Sequence, residues 1–286
     1  MSHRSHARRP RYKRSPDIHE VEATPDTVQW GYFDNSADPV CHVESGDIVK
    51  IETITHQAGD APDYLMDDKT REIYETIDMD DRGPGVHIVT GPVHVEGAEP
   101  GDVLECRVLD LKPRLPYGVN LSANWGMLYD DYDEREYVTI YEADRKTGTA
   151  KAVFQYEFPG TYDEIGPMVD PDSVDRQPVL EDVRVPLRYH FGTAGVAPAE
   201  DGKIDTVPPS TFGGNMDDRR FNIGTSMYYP VHVDGALFTA GDSHMTQGDG
   251  EVSGTAIEAS LDGIVQLFLR DDVELSRNPV LETSTH

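Results

Sequence analysis

Eleven residues, Gly241-Asp242-Ser243-His244-Met245-Thr246-Gln247-Gly248-Asp249-Gly250-Glu251, concentrate two Asp, a His, a Gln and a Glu among small residues and glycines. Carboxylates and imidazole hold metal ions or move protons near neutral pH. Glycine lets a backbone turn tightly and approach a ligand closely. In an extended segment, residues two apart project to one face, which pairs Asp242 with His244 and Asp249 with Glu251. An adjacent carboxylate and imidazole suit Zn²⁺, Mn²⁺ or a similar ion that accepts N and O donors. Without metal the same pair works as a carboxylate-oriented general base. In so acidic a chain, Asp249 and Glu251 read equally as a solvated turn or a secondary cation site.

Other candidates lie outside this stretch. Glu258 sits in Gly254-Thr255-Ala256-Ile257-Glu258-Ala259. A carboxylate buried in such surroundings must be paired, liganded or protonated, which suits acid–base work. Asn215 and Asp217 follow a double glycine and share a face if extended, offering an amide donor and a carboxylate. His87, between apolar neighbours, reads either as a satisfied core histidine or as a further metal ligand. His94 and His232, flanked by valines, read as structural. No Gly-x-Ser-x-Gly elbow, Ser-x-x-Lys motif, Walker lysine or dinucleotide fingerprint occurs.

The elements that must position these residues read mainly as β structure, from short apolar runs cut by Gly, Pro, Asn and Asp. Val49–Thr55, Val93–Val95 and Val103–Leu111 alternate at period two, and Glu99-Pro100-Gly101-Asp102 suggests a turn joining the last two into a hairpin-like pair. Residues 57–82 suggest one short helix in a mobile loop, and 112–135 an ordered loop. Residues 228–233 and 236–240 read as strands leading into the opening segment. Residues 255–269 read as strands bent at Asp262-Gly263, with a helix as the alternative. Residues 1–17 form an expected disordered basic tail, and 18–286 a single unit with a mainly β part (18–160) and a part carrying most site motifs (161–286).

The charge of −28, from 53 acidic and 25 basic residues, argues against a nucleic-acid surface, because phosphate would be repelled. It fits a salt-adapted cytoplasmic enzyme with an acidic coat. Cys41 and Cys106 are too few and too far apart for a thiolate zinc site or a disulfide framework. No apolar run nears the ~20 residues needed to cross a bilayer, and the basic tail lacks the apolar segment of a secretory signal.

Thr90-Gly91-Pro92 through Val95, Gly97–Leu104, Gly195–Ala199, Phe212–Asp217 and Gly241–Glu258 together resemble the acetamidase/formamidase family. The resemblance implies hydrolysis of formamide or acetamide to a carboxylate and ammonia. It implies a β-sandwich with a small barrel-like subdomain and an α+β C-terminal part, homo-oligomers (a dimer here), and a divalent metal: zinc, with calcium at a second site. Ser243, Met245-Thr246 and Ser253 depart from the family's usual residues, Ser253 standing where a cysteine is common. The bulkier Met245 is expected to reshape the pocket. On this basis Asp242 and His244, with His87 or Asp217, are expected to hold one ion. Glu258 is expected to transfer the proton, and Asn215 and Gln247 to orient the amide. Two alternatives remain: a non-catalytic β-sandwich binding a cation or small polar ligand, and a metal-dependent hydrolase of another small amide or lactam.

Overall fold

The computed structural model describes residues 15–163, 165–179 and 183–285. Residues 1–14 of the expected tail lie outside them. Two large sheets carry the fold among the described residues. The six-stranded sheet runs Ile18–Val21, Ile48–Glu52, Leu261–Arg270, Val103–Pro113, Ser226–Pro230, Val280–Glu282. The twelve-stranded sheet runs Gln177–Pro178, Thr149–Glu157, Tyr137–Asp144, Tyr117–Ser122, Ile257–Glu258, Phe238–Thr246, His190–Gly195, Gly213–Asn215. Arg184–Pro186 pairs with Thr149–Glu157 off this path, and strand Ile88–Val95 branches from Phe238–Thr246 and itself carries Val28–Trp30 and Cys41–Val43. Neither sheet closes into a barrel.

Period-two patterning sets the strand faces. In Ile48–Glu52, Val49 and Ile51 point inward while Lys50 is exposed; in Thr149–Glu157, Ala150, Ala152, Phe154 and Tyr156 are buried in alternation. The inward faces of the two sheets meet in one core, with Val49, Ile51, Leu104, Val265 and Leu267 from the smaller sheet against Val93, Phe191, Ala194 and Phe238 from the larger. Each Val, Leu, Ile or Phe among them contributes about 1.5–3 kcal/mol when fully buried. Phe238–Thr246 lies between neighbours on both edges and is buried along nearly its whole length.

A second core places the site's far wall. The helix Asp68–Thr76 is capped by Asp67, whose carboxylate accepts from the Thr70 backbone N–H. Its Ile73 and Tyr74, with Leu65, pack against Val119, Leu121, Val138 and Ile140. The Tyr74 hydroxyl donates to the His56 carbonyl at 2.6 Å, so the helix fixes the segment that follows strand Ile48–Glu52.

Several local expectations change. The Glu99–Asp102 turn exists, with the Asp102 N–H on the Glu99 carbonyl at 3.0 Å, but the strands beside it belong to different sheets and form no hairpin. The turn passes the chain from one layer to the other: Ile88–Val95 pairs with Phe238–Thr246, and Val103–Pro113 with Leu261–Arg270. Residues 57–82 hold two short α-helices, Pro62–Leu65 and Asp68–Thr76, and Ala58-Gly59-Asp60 is fully buried rather than a mobile loop. Residues 117–122, read as loop, form a strand between two others. Asp262-Gly263 lies inside a continuous strand, and the chain breaks earlier, between Glu258 and Leu261. Residues 161–286 contain no α-helix among those described, so the α-helices belong to the first half of the chain.

Candidate active site

Strand Phe238–Thr246 changes neighbours along its length, and the site forms where it does so. Its first half pairs with Ile88–Val95, bringing Gly241 opposite Val89. Its second half pairs with Ile257–Glu258, bringing His244 opposite Glu258. Along its other edge it meets His190–Gly195. Glycine is required at two of these contacts. A Cβ on Gly241 would lie 2.0 Å from the Ile88 carbonyl oxygen, and one on Gly192 would lie 2.4 Å from His244 Cε1 and 2.7 Å from Asp217 Oδ1. The missing side chain of Gly192 is therefore the space in which the site's groups meet.

Asp242, 3% exposed, is the hub. Its Oδ1 lies 3.7 Å from His56 Nδ1, and its Oδ2 lies 3.6 Å from both His87 Nε2 and His244 Nε2. Thr193 Oγ1 donates to the same Oδ2 at 3.1 Å. Two donor groups thus share one carboxylate: His56, His87 and Asp242 on one side, and Asp242, His244 and Glu258 on the other. Asp217 and Glu251 join His244 in an adjoining group. Asp217, Asp242 and Glu251 each have φ of 43°, in the left-handed region that non-glycine residues enter at a cost.

Outer contacts decide which atom of each ring faces inward. His87 Nδ1 is 3.0 Å from Thr206 Oγ1, leaving Nε2 for Asp242. His244 Nδ1 is 2.8 Å from Gln247 Oε1, so its N–H donates there and Nε2 faces Asp242, Glu258 and Asp217 at 3.6, 3.3 and 3.9 Å. Gln247 Nε2 in turn donates to the Asp217 carbonyl, which locks the assembly.

The electrostatics are those of charges crowded out of water. Burial, with His87 beside it, pushes His56 down to about 3, keeping it neutral. Burial also acts against His244, but Glu258 and Asp242 hold its imidazolium well above the usual range. Burial raises Glu258 to about 8 and Glu251 to about 9. Asp217 rises through burial and the charge of Asp242. Asp242 goes the other way: burial opposes its charge, but the imidazoles of His87, His244 and His56 keep it well below an ordinary carboxylate.

This constellation sits inside a sequence-wide match. Residues 22–204 and 199–278 fit the model of the acetamidase/formamidase family.

The chain belongs to the acetamidase/formamidase family.

Among its relatives, it is 33% identical over 201 residues to an acetamidase of Mycolicibacterium smegmatis, covering 58% of this chain and 49% of that one. It is 29% identical over 230 residues to a formamidase of Methylophilus methylotrophus, covering 70% and 56%. The solved acetamidase of Bacillus halodurans superposes with a TM-score of 0.66 at 26% identity, over 92% of this chain and 74% of that one. The chain spans about half the length of the curated relatives it matches.

Within this family member, the structure brings together Asp242, His244, His87, Asp217, Glu258 and Glu251. Asp249 stands apart, with its carboxylate mostly exposed and paired with Arg219 at 2.7 Å. Asn215 lies one step from the hub, accepting from Thr193 at 3.1 Å and donating to the Val207 carbonyl at 3.2 Å. Gln247 is committed to His244, His190 and Asp217. Met245 points the other way, into the core, so it does not line the pocket. The Ser253 hydroxyl meets the Asn120 amide at 3.2 Å and the Thr255 carbonyl at 3.5 Å, neither of which is a base that could activate it.

Four residues enter that the sequence reading left out. His56 completes the first donor group, and His190 lies 3.0 Å from His244 Nδ1. Gln57, next to His56 in sequence, and Asp60 are fully buried. Gln57 has no hydrogen-bond partner on either side-chain polar atom, and Asp60 Oδ2 has none. Burial, and Glu258 less strongly, raises the Asp60 carboxyl well above its usual range, against the hydrogen bond from Tyr162. The signal for this segment was present: His56-Gln57-Ala58-Gly59-Asp60 repeats the mix of imidazole, amide, carboxylate and small residues seen at 241–251.

Proposed function

We propose that the chain hydrolyses a short-chain linear amide, formamide or acetamide, to a carboxylate and ammonia, with help from a divalent cation. The observation that carries this reading is the convergence of three imidazole nitrogens on the buried carboxylate of Asp242 within 3.6–3.7 Å. His56 Nδ1, Glu258 Oε2, Asp217 Oδ1 and Glu251 Oε1 are buried without a hydrogen-bond partner. Orphaned polar atoms of this kind are expensive, and a cation among them is the partner that satisfies lone pairs from several sides.

Two imidazoles and a carboxylate, from His56, His87 and Asp242, match a zinc-type donor set; the oxygen-rich side at Asp217 and Glu251 suits calcium better. A cation held there would supply Lewis-acid polarisation of the amide carbonyl and acidify a neighbouring water. Glu258, raised to about 8, suits a group that takes the water's proton as the C–O bond forms and returns it to the leaving nitrogen as C–N breaks. His244 positions Glu258 from 3.3 Å and carries positive charge next to the reacting centre. Gln57 offers an unpaired N–H donor and C=O acceptor, the complement of a carboxamide. The enclosure of Asp242, His244 and Glu258, 1–3% exposed, supports a very small substrate.

Ammonia release from formamide and acetamide, with and without chelator, tests the reading. Turnover lost on chelation and restored by zinc is the expected result. Zinc uptake with no ammonia release from any small amide would leave only a binding module. The acidic coat supports a salt-adapted cytoplasmic enzyme, and the family resemblance supports a homodimer, which light scattering measures directly. No helix among the described residues is long and apolar enough to cross a membrane.

A further inference from the structure

Strand Cys41–Val43 runs parallel to Ile88–Val95 with His42 in register with His94. Residues in register share a face, and Glu96, two beyond His94, follows on the same side. The three side chains converge at the surface. His42 Nδ1 lies 3.1 Å from Glu96 Oε1, His94 Nδ1 lies 3.7 Å from the same oxygen, and the rings are 4.6 Å apart at 31°.

We infer that His42, His94 and Glu96 form a second metal site, one that takes a borderline divalent transition ion such as Zn²⁺ and completes its shell with water. Tetrahedral zinc with bonds of about 2.0–2.1 Å separates its donors by about 3.4 Å, and the two nitrogen–oxygen distances, 3.1 and 3.7 Å, bracket that value. His94 Nδ1 is shielded from solvent and has no hydrogen-bond partner among the described residues. Its ring is held in place: a Cβ on Gly235 would come within 2.1 Å of His94 Cδ2, so only glycine leaves room for it. Two imidazoles and one carboxylate favour zinc, cobalt, nickel or copper over calcium and magnesium, which prefer oxygen.

The site is separate from the Asp242 cluster, whose donor groups contain none of these three residues. An ion here would pin Cys41–Val43, which among the described residues pairs only with Ile88–Val95, to the strand that also borders Phe238–Thr246. It requires no particular reaction at Asp242.

Zinc uptake by the full-length protein, measured against a chromophoric chelator, tests the assignment in wild type, His42→Ala and Glu96→Gln. His42 is 57% exposed, so its replacement does not threaten folding. Wild type is expected to take up one more zinc per chain than His42→Ala, with Glu96→Gln intermediate in affinity. Added zinc should raise the Tm of wild type more than that of His42→Ala, while both hydrolyse amide equally. Equal uptake by wild type and His42→Ala would overturn the site, and would do so whether or not either protein releases ammonia.

Discussion

His244 and Glu258 stand opposite each other across two antiparallel strands, with Nε2 and Oε2 3.3 Å apart. The other ring nitrogen of His244 is tied to Gln247 at 2.8 Å, which fixes the orientation of the ring. Glu258 is thereby a buried carboxyl held on both oxygens, with Oε2 facing His244 and Oε1 accepting from the Ala256 N–H at 3.1 Å.

Replacing Glu258 with Gln keeps the shape and removes the proton acceptor. Amide turnover is expected to fall about 10²–10⁴-fold, the usual worth of a positioned acid–base group, with circular dichroism and Tm little changed. Near-wild-type ammonia release by this variant would remove Glu258 from the chemistry.

Cation binding should release protons. In the metal-free chain Glu258 and Glu251, at about 8 and about 9, are mostly protonated at pH 7. A dication among them favours their charged forms. Zinc affinity at the Asp242 cluster is therefore expected to rise with pH between about 7 and 9. Calorimetry in buffers of different ionisation enthalpy, run on the His42→Ala background, counts the protons; a buffer-independent enthalpy would place the ion elsewhere.

Asp60 makes a stability prediction whose sign follows from its raised folded-state pKa. Its contribution is fully present below the unfolded value near 3.8 and is lost as pH rises toward the folded value, because the unfolded chain ionises while the folded one holds its proton. Asp60→Asn removes this linkage and can still accept from Tyr162. Its stability relative to wild type is expected to climb above pH 4 by up to about 1.4 kcal/mol per pH unit. Urea unfolding at pH 4 and pH 7 measures it, and a constant difference between the two would show that the buried proton is absent.

Gln57 offers a trade-off. Leu in its place removes two buried, unsatisfied polar atoms and should raise stability by about 1–3 kcal/mol. The same change deletes the partner proposed for the substrate amide and is expected to raise KM about tenfold or more. A variant that is more stable and equally active would make Gln57 a structural residue.

Gly241–Glu258 and the upstream glycine phrases were enough to mark the family, because a loop rich in glycine and ligand-type side chains has few structural uses. Period-two alternation placed strands such as Ile48–Glu52 and Leu261–Arg270, since it reports which residues face a core. Pairing is a different matter. The 99–102 turn looked like a hairpin because adjacency in sequence is all that alternation can weigh, yet its flanking strands join separate layers. Residues 117–122 lacked a clear pattern because Gly118 and Asn120 occupy positions made by neighbouring strands: a Cβ on Gly118 would lie 2.8 Å from the Glu258 carbonyl, and the Asn120 amide donates to the Thr255 carbonyl.

The residue types of the site were therefore set by the sequence itself: Asp242 and His244 two apart on one strand, and Glu258 in a small apolar run. Their company was decided only by the tertiary structure. His56 arrives from 186 residues away because Tyr74 fixes its carbonyl from the helix side. Gln247 becomes an orienting group because Asp217 and His190 crowd it. Met245 turns to the core because it alternates with His244 on a strand whose two faces meet different surroundings. Chemistry is carried by residue types, which a sequence lists; a site is a set of distances, and those come from how two sheets and a short helix pack.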